Sequence, residues 1–260
     1  MLVGDGRQCC VACNHEEEAT HDGGAVVAAG PAAGCAYTVG AQMSDERTPE
    51  VQSPPPLAGG ALSGKVALIT GGANGLGRAF ATALLEQDAI VTIADVDADA
   101  AAATAAELGC DFEQLDVADL AANEAVVTRT AERHTRLDLV MLNAGIESPF
   151  SLGADFDLEG YRRAMAINLD GVVFGFHAAR PALLQSGGGS VLATASLAGL
   201  AAMAPQPIYG TNKAAVVGLA RALGPAHAHE GILFNAICPG FADTAIIEGV
   251  RELLQSGGVP

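Results

Sequence analysis

From Lys65 onward the chain repeats one rhythm: a short apolar run, then an Ala-rich window of helical character. No other feature restricts the fold as tightly. The apolar runs fall at 65–70, 90–95, 112–116, 137–143, 190–194 and 232–238. The helical windows between them are 76–87, 98–108, 120–134, 158–184 and 207–229. The runs read as apolar throughout rather than alternating, the pattern of strands covered by helices on both faces. Strand–helix–strand repetition with right-handed crossovers predicts an α/β fold, a doubly wound parallel sheet with six visible strands. Ligands bind such a sheet beyond the carboxyl ends of its strands, near the point where strand order reverses.

Composition narrows the function. Thirteen basic residues stand against 30 acidic ones, for a net charge of −17, and no local basic patch interrupts the excess. Such a surface repels a phosphate backbone, so no nucleic-acid partner is expected. No run of apolar residues reaches the length of a membrane span, so no membrane partner is expected either. Glu16, Glu17 and Glu18 sit where the apolar core of a secretory leader would be. Six unevenly spread cysteines do not make a disulfide framework. A cytoplasmic protein is the expectation. Residues 1–62 read as a disordered N-terminal extension ending in the Pro-rich linker Ser53-Pro54-Pro55-Pro56, and 63–260 as the globular domain. Met43 offers an alternative start. Cys10-x-x-Cys13 with His15 lacks the second ligand pair of a tetrahedral zinc site, so no metal is expected.

The first strand runs into Thr70-Gly71-Gly72-Ala73-Asn74-Gly75-Leu76-Gly77, with a helical window behind it. Glycines there let the backbone turn tightly and approach a diphosphate, while the new helix offers free N–H groups and its positive end. Asp95 closes the second strand, 18 residues after Gly77. A carboxylate at that point accepts hydrogen bonds from both adenosine ribose hydroxyls and repels a 2′-phosphate. No Arg or Lys follows it until Arg129. The cofactor reading is therefore NAD rather than NADP. The alternative, that Asp95 only caps the next helix, stays open, with Asp97 an equal candidate for the cap.

Tyr209 and Lys213 lie four apart in a helical window, hence on one face. Ser196 precedes Tyr209 by 13 residues, just past the fifth strand. A free phenol has a pKa of about 10, roughly 3 units too high for an efficient base at neutral pH. A cation ~4 Å away at an effective dielectric of ~20 is worth about 4 kcal/mol, enough to close that gap. Lys213 and a positive nicotinamide ring would make Tyr209 a usable base, and Ser196 would hold the reacting oxygen in line.

The turn at 70–77, Asn143-Ala144-Gly145, Asn168, Ser196, Tyr209-x-x-x-Lys213 and Pro239-Gly240 resemble, in order and spacing, the motifs of the short-chain dehydrogenase/reductase family. The resemblance covers 63–247. Ser196-Leu197-Ala198-Gly199-Leu200, Gln206-Pro207-Ile208-Tyr209 and the segment from Asn235 to Phe241 are most similar to its NAD-dependent hydroxyprostaglandin-type branch. The resemblance implies a Rossmann fold and an NAD-dependent oxidoreductase interconverting secondary alcohol and ketone. It also implies a homodimer or homotetramer paired through the windows 158–184 and 207–229. In that pattern Tyr209 is the acid/base, Lys213 holds the nicotinamide ribose, and Asn168 anchors a water chain. Asn168 alone would read as a polar residue satisfying a helix irregularity. The resemblance further places Gly71, Asn74, Gly75, Leu76, Gly77 and Asp95 on the cofactor. Asp116 and Val117 then meet the adenine, Ala144 and Gly145 the adenosine, and Pro239, Gly240 and Thr244 the nicotinamide end. Gln206 matches a substrate-side contact. Asn143 reads equally as a cofactor contact and as a bridge between strands.

The segment 197–205 is apolar and small, and the loop after the fourth strand offers Ile146, Pro149, Phe150 and Leu152, with Glu147 its only charge. No Arg or Lys is positioned to clamp an anion, which favours a neutral, largely apolar substrate. Cys110 and Cys238 read as core or strand-end residues without a basic neighbour. His134, His177, His227 and His229 show no ligand spacing. Family members continue further beyond Thr244, so a seventh strand and the rest of the substrate lid read as missing. A catalytically weak or silent NAD-binding protein is the alternative expectation.

Overall fold

The computed structural model describes residues 60–240 apart from 202, 204 and 205. The expectations for the N-terminal extension, its Cys10–Cys13 pair, Thr244 and the segment beyond it lie outside the described residues. Six strands, β1 (Val66–Thr70), β2 (Ile90–Asp95), β3 (Asp111–Gln114), β4 (Leu139–Leu142), β5 (Gly189–Thr194) and β6 (Ile232–Ile237), form one sheet. Its order is β3-β2-β1-β4-β5-β6 and every pairing is parallel. The helices are α1 (Gly75–Leu85), α2 (Ala98–Leu108), α3 (Leu120–His134), α4 (Leu158–Met165), α5 (Gly171–Gln185) and α6 (Pro207–His227). Strand order reverses between β1 and β4, which opens a crevice at their carboxyl ends.

The sheet centre is dry. All five residues of β1 are buried, and Val66, Leu68 and Ile69 join Val91, Ile93, Val140 and Val191 at 2% exposure or less. Ala81 of α1 and Ala105 of α2 pack onto this layer, and their small side chains let the helices sit close. Asp97, Asp119 and Asp157 cap α2, α3 and α4 by accepting from Ala100, Ala122 and Gly160 backbone N–H groups. Among the described residues no helix is long and apolar enough to cross a membrane.

Two expectations are corrected. The third strand is not apolar throughout: it is Asp111-Phe112-Glu113-Gln114, with burial alternating along it, because it forms one edge of the sheet. The window 158–184 is not one continuous helix. A π segment, Ala166–Asp170, separates α4 from α5, and it contains Asn168.

Candidate active site

The crevice holds a cavity of about 610 Å³. Its floor is the glycine turn. Gly71 and Gly75 adopt φ of +64° and +52°, which L side chains rarely tolerate. A Cβ on Gly71 would stand 2.8 Å from Ala144 Cα, so the bare glycine also lets the β4 loop close over the turn. Asn74 begins α1 without a side-chain cap, and Asn74, Gly75 and Leu76 line the cavity beside those open N–H groups. Gly77 is buried and absent from the cavity wall, and a Cβ there would meet Gly71 O at 2.0 Å and Asn143 Nδ2 at 2.8 Å. The bare glycine there lets α1 pack closely on the turn.

Asp95 lines the cavity at the end of β2, its two oxygens accepting from Ala73 N at 3.1 Å and Asp97 N at 3.2 Å. Asp97, not Asp95, caps α2, while the Asp95 carboxylate holds the turn backbone and lines the crevice. Asp116, Val117, Ala144, Gly145, Pro239 and Gly240 also line it. Asn143 lines it too, yet its polar atoms are used in bridging strands. Its Nδ2 donates to Thr70 O and Gly71 O, each at 3.2 Å, and its Oδ1 accepts from Thr194 Oγ1 at 3.1 Å. The bridging role therefore accounts for its side chain.

Ser196, Tyr209 and Lys213 come together on the opposite wall. Ser196 leaves β5 in extended conformation and opens a 3₁₀ turn, Leu197–Gly199. Leu197 N donates to Pro239 O at 2.9 Å, which brings the two loops side by side. A Cβ on Gly199 would stand 2.6 Å from the Lys213 backbone, so that glycine lets the turn rest against α6. The Ser196 hydroxyl is near enough to the Tyr209 phenol to lower its pKa. One turn further along α6, Lys213 is 4% exposed, and its Nζ donates to Thr194 O at 2.8 Å and lies 5.7 Å from the Tyr209 ring centroid.

The electrostatics differ from the expectation. Burial pushes the Tyr209 phenol up, the nearby Ser196 hydroxyl lowers it, and the Glu147 carboxylate raises it further. Burial pushes Lys213 down to about 8. In the protein alone, therefore, the tyrosine is not depressed.

Asn168 is fully buried and closes on the backbone of Ile146: Oδ1 accepts from Ile146 N at 2.8 Å and Nδ2 donates to Ile146 O at 2.9 Å. The Cβ position that Gly145 leaves empty lies 3.2 Å from Asn168 Oδ1 and 3.4 Å from Lys213 Nζ. Both polar atoms border one small gap.

The family model described as short chain dehydrogenase matches residues 65–254. The chain belongs to the short chain dehydrogenase family. It is 40% identical over 195 residues to sorbitol dehydrogenase of Cereibacter sphaeroides, covering 73% of this chain and 75% of that one. It is 34% identical over 203 residues to the NAD(+)-dependent 15-hydroxyprostaglandin dehydrogenase of Homo sapiens, covering 74% and 73%. The fold superposes on a crystal structure of levodione reductase with a TM-score of 0.70 at 34% identity, over 75% of this chain and 78% of that one. This short chain dehydrogenase is thus placed among oxidoreductases.

Three residues of this dehydrogenase's site escaped the sequence reading. Arg163 lines the cavity with Ala166 and Ile167, contrary to the expectation that no cation is positioned there. Their shared helical face, with Arg163 four residues before Ile167, was the available signal. Cys238 was read as lacking a basic neighbour, yet it lies close enough to Lys213 for its charge to raise the lysine pKa. Glu147 acts by charge on Tyr209 from a separate loop. Gln206 is 3% exposed and lies outside the cavity wall.

Proposed function

We propose that this chain interconverts a neutral secondary alcohol and its ketone with NAD, using Tyr209 as acid/base. The observation that carries the reading is the convergence of Ser196, Tyr209 and Lys213 on one wall of the cavity, with Lys213 one turn behind Tyr209 on α6. The bare glycine turn, the uncapped start of α1 and the Asp95 carboxylate fit a dinucleotide laid across the crevice. Bound NAD supplies a hydride acceptor. Tyr209, as phenolate, takes the O–H proton while the C–H hydrogen leaves with its electron pair; in the reverse direction it returns that proton to the carbonyl oxygen. Ser196 holds the oxygen by a hydrogen bond. Lys213, when charged, stabilises the phenolate, and its border with Asn168 Oδ1 supports the proton's onward route through the gap at Gly145. Exposed Val173 and Leu184 on α5 support pairing into a homo-oligomer.

The direct test is purified protein with NAD and a panel of secondary alcohols, followed at the NADH absorbance. Turnover carries the reading; saturable NAD binding with no turnover of any alcohol would replace it by a binding protein. The cofactor assignment is tested separately by Asp95→Ala. Removing the carboxylate is expected to weaken NAD and relieve the repulsion of a 2′-phosphate. The NAD/NADP preference in kcat/KM should fall by about tenfold or more, equivalent to about 1.4 kcal/mol. An unchanged ratio would assign Asp95 to the turn alone.

A further inference from the structure

Arg163 stands on the cavity wall and has no task in the hydride transfer above. It is exposed on α4, and among the described residues it has no hydrogen bond or ion pair, whereas its neighbour Arg162 pairs with Glu159 at 2.9 Å. The helix places it at one end of the cavity. Arg163, Ile167 and Gly171 follow one another at intervals of four, on one side of the helix that runs through the π segment. Gly171 rests against Val117, where an added Cβ would stand 2.8 Å from Val117 Cγ2. The line from Gly171 back to Arg163 therefore rises from the loop after β3, and Ile167 and Arg163 reach the cavity from that side. The same loop lies beside Asp95: Leu115 N donates to Asp95 O at 2.8 Å, and Gln114 Nε2 donates to Val96 O at 3.2 Å. Asn168, one residue past Ile167, instead closes on Ile146 and borders Lys213.

The order of groups along the crevice decides what lies at this end. The diphosphate of a dinucleotide belongs at the open start of α1, and the carboxylate closing β2 takes its adenosine ribose. The base then falls beyond Asp95, among Val96, Leu115, Val117 and Ile167. Those walls are aliphatic. Tyr209, the one aromatic ring lining the cavity among the described residues, shares its wall with Lys213 at the other end. A purine offers a flat π face and no charge, and a guanidinium is the flat cation that stacks on such faces. We propose that Arg163 closes the base slot, its guanidinium stacked on the adenine, and so sets the affinity for the adenosine half of the cofactor. This rests on the dinucleotide reading and adds a residue to it. Asp95 and Asp116 line the same end and favour a cation near them, yet neither ties Arg163 down, so the guanidinium stays free for the base.

The test is calorimetric titration of ADP-ribose, which carries the adenosine half and the diphosphate but no nicotinamide, into the native protein, Arg163→Lys and Arg163→Met. Arg163 is exposed, so neither substitution disturbs the core. Arg163→Met keeps an aliphatic stem and loses both the charge and the plane; it should bind ADP-ribose about tenfold more weakly, within the range of a cation–aromatic contact. Arg163→Lys keeps the charge alone and should still lose about threefold. Both losses should persist at high salt, because a stacked, partly dehydrated pair is screened little. A loss that lysine restores and salt erases would assign Arg163 to the diphosphate and overturn the stacking. Native affinity in Arg163→Met would overturn any contact with the cofactor, and a KM raised only for anionic substrates would then give Arg163 to the substrate. Native protein that binds no ADP-ribose overturns the dinucleotide reading itself, and this inference with it.

Discussion

Tyr209→Phe lowers turnover by about 10²–10⁴-fold, the usual contribution of a positioned acid/base, while dinucleotide affinity measured by fluorescence titration stays within about twofold. The asymmetry follows from what the substitution removes. The ring stays, half-buried on α6 and 5.7 Å from the Lys213 ammonium, and only the hydroxyl that meets Ser196 is lost. The pH dependence carries a sign. Burial holds the phenol above its ordinary value, so alcohol oxidation, which needs the phenolate, should speed up as pH rises. Ketone reduction needs the neutral phenol and should slow over the same range. Both limbs should vanish in the phenylalanine variant. Residual turnover with the native pH profile would move the acid/base role to another group.

Lys213→Met should change activity and stability in opposite directions. A full charge 5.7 Å from the ring is worth about 3 kcal/mol at an effective dielectric of ~20, so turnover should fall by about two decades. Stability should rise. Burial has taken Lys213 from 10.5 to about 8, which means the folded state holds the ammonium less willingly than the unfolded chain does. At pH 7 that corresponds to about 3 kcal/mol against folding. Methionine removes the penalty and leaves Thr194 O without its donor, at a cost of about 1 kcal/mol. The net gain, about 2 kcal/mol, raises the melting temperature of a domain this size by about 4–8 °C. The pH window tests the cause. Between pH 8 and 10.5 the unfolded chain keeps a proton that the folded chain has lost, so native stability climbs with pH and the gap to the variant closes. Equal melting temperatures at neutral pH would show that the ammonium is not penalised by its surroundings.

A stable protein with a weaker catalyst is the expected outcome wherever a charge is buried for function. Lys213 is held in a buried wall because α6 packs on β6 and the π segment, while the four-residue spacing on one helix sets its distance from Tyr209. The low Lys213 pKa belongs to the protein without bound cofactor. A ligand that brings donors or acceptors to the ammonium would move it, and the oxidation profile measured at saturating NAD reports that state.

Much of the site was readable before the fold was known, wherever the signal is local. The strand-to-glycine-to-helix succession names the cofactor turn because it requires only consecutive residues. Tyr209 and Lys213 could be paired from a spacing of four on one helix. Asn143 was read as either a bridge or a contact, and the bridge is what its amide performs between Thr70, Gly71 and Thr194. Other readings failed for a common reason. The window 158–184 reads as one helix, and only Asn168, which alone would read as satisfying a helix irregularity, hints at the π segment Ala166–Asp170 that contains it. Arg163 reaches the cavity, and Cys238 the lysine, through elements distant in sequence.

By itself the amino-acid order determined the alternation of strands and helices, the place of the phosphate-type turn and the helical face shared by phenol and ammonium. Each is a repeat or spacing within a few residues, where backbone geometry leaves little choice. Only the tertiary structure decided the π segment, the buried state of Lys213 and the meeting of Ser196 and Tyr209 on the cavity wall. Those depend on which loops close over which strand ends, and on how little water is left between them.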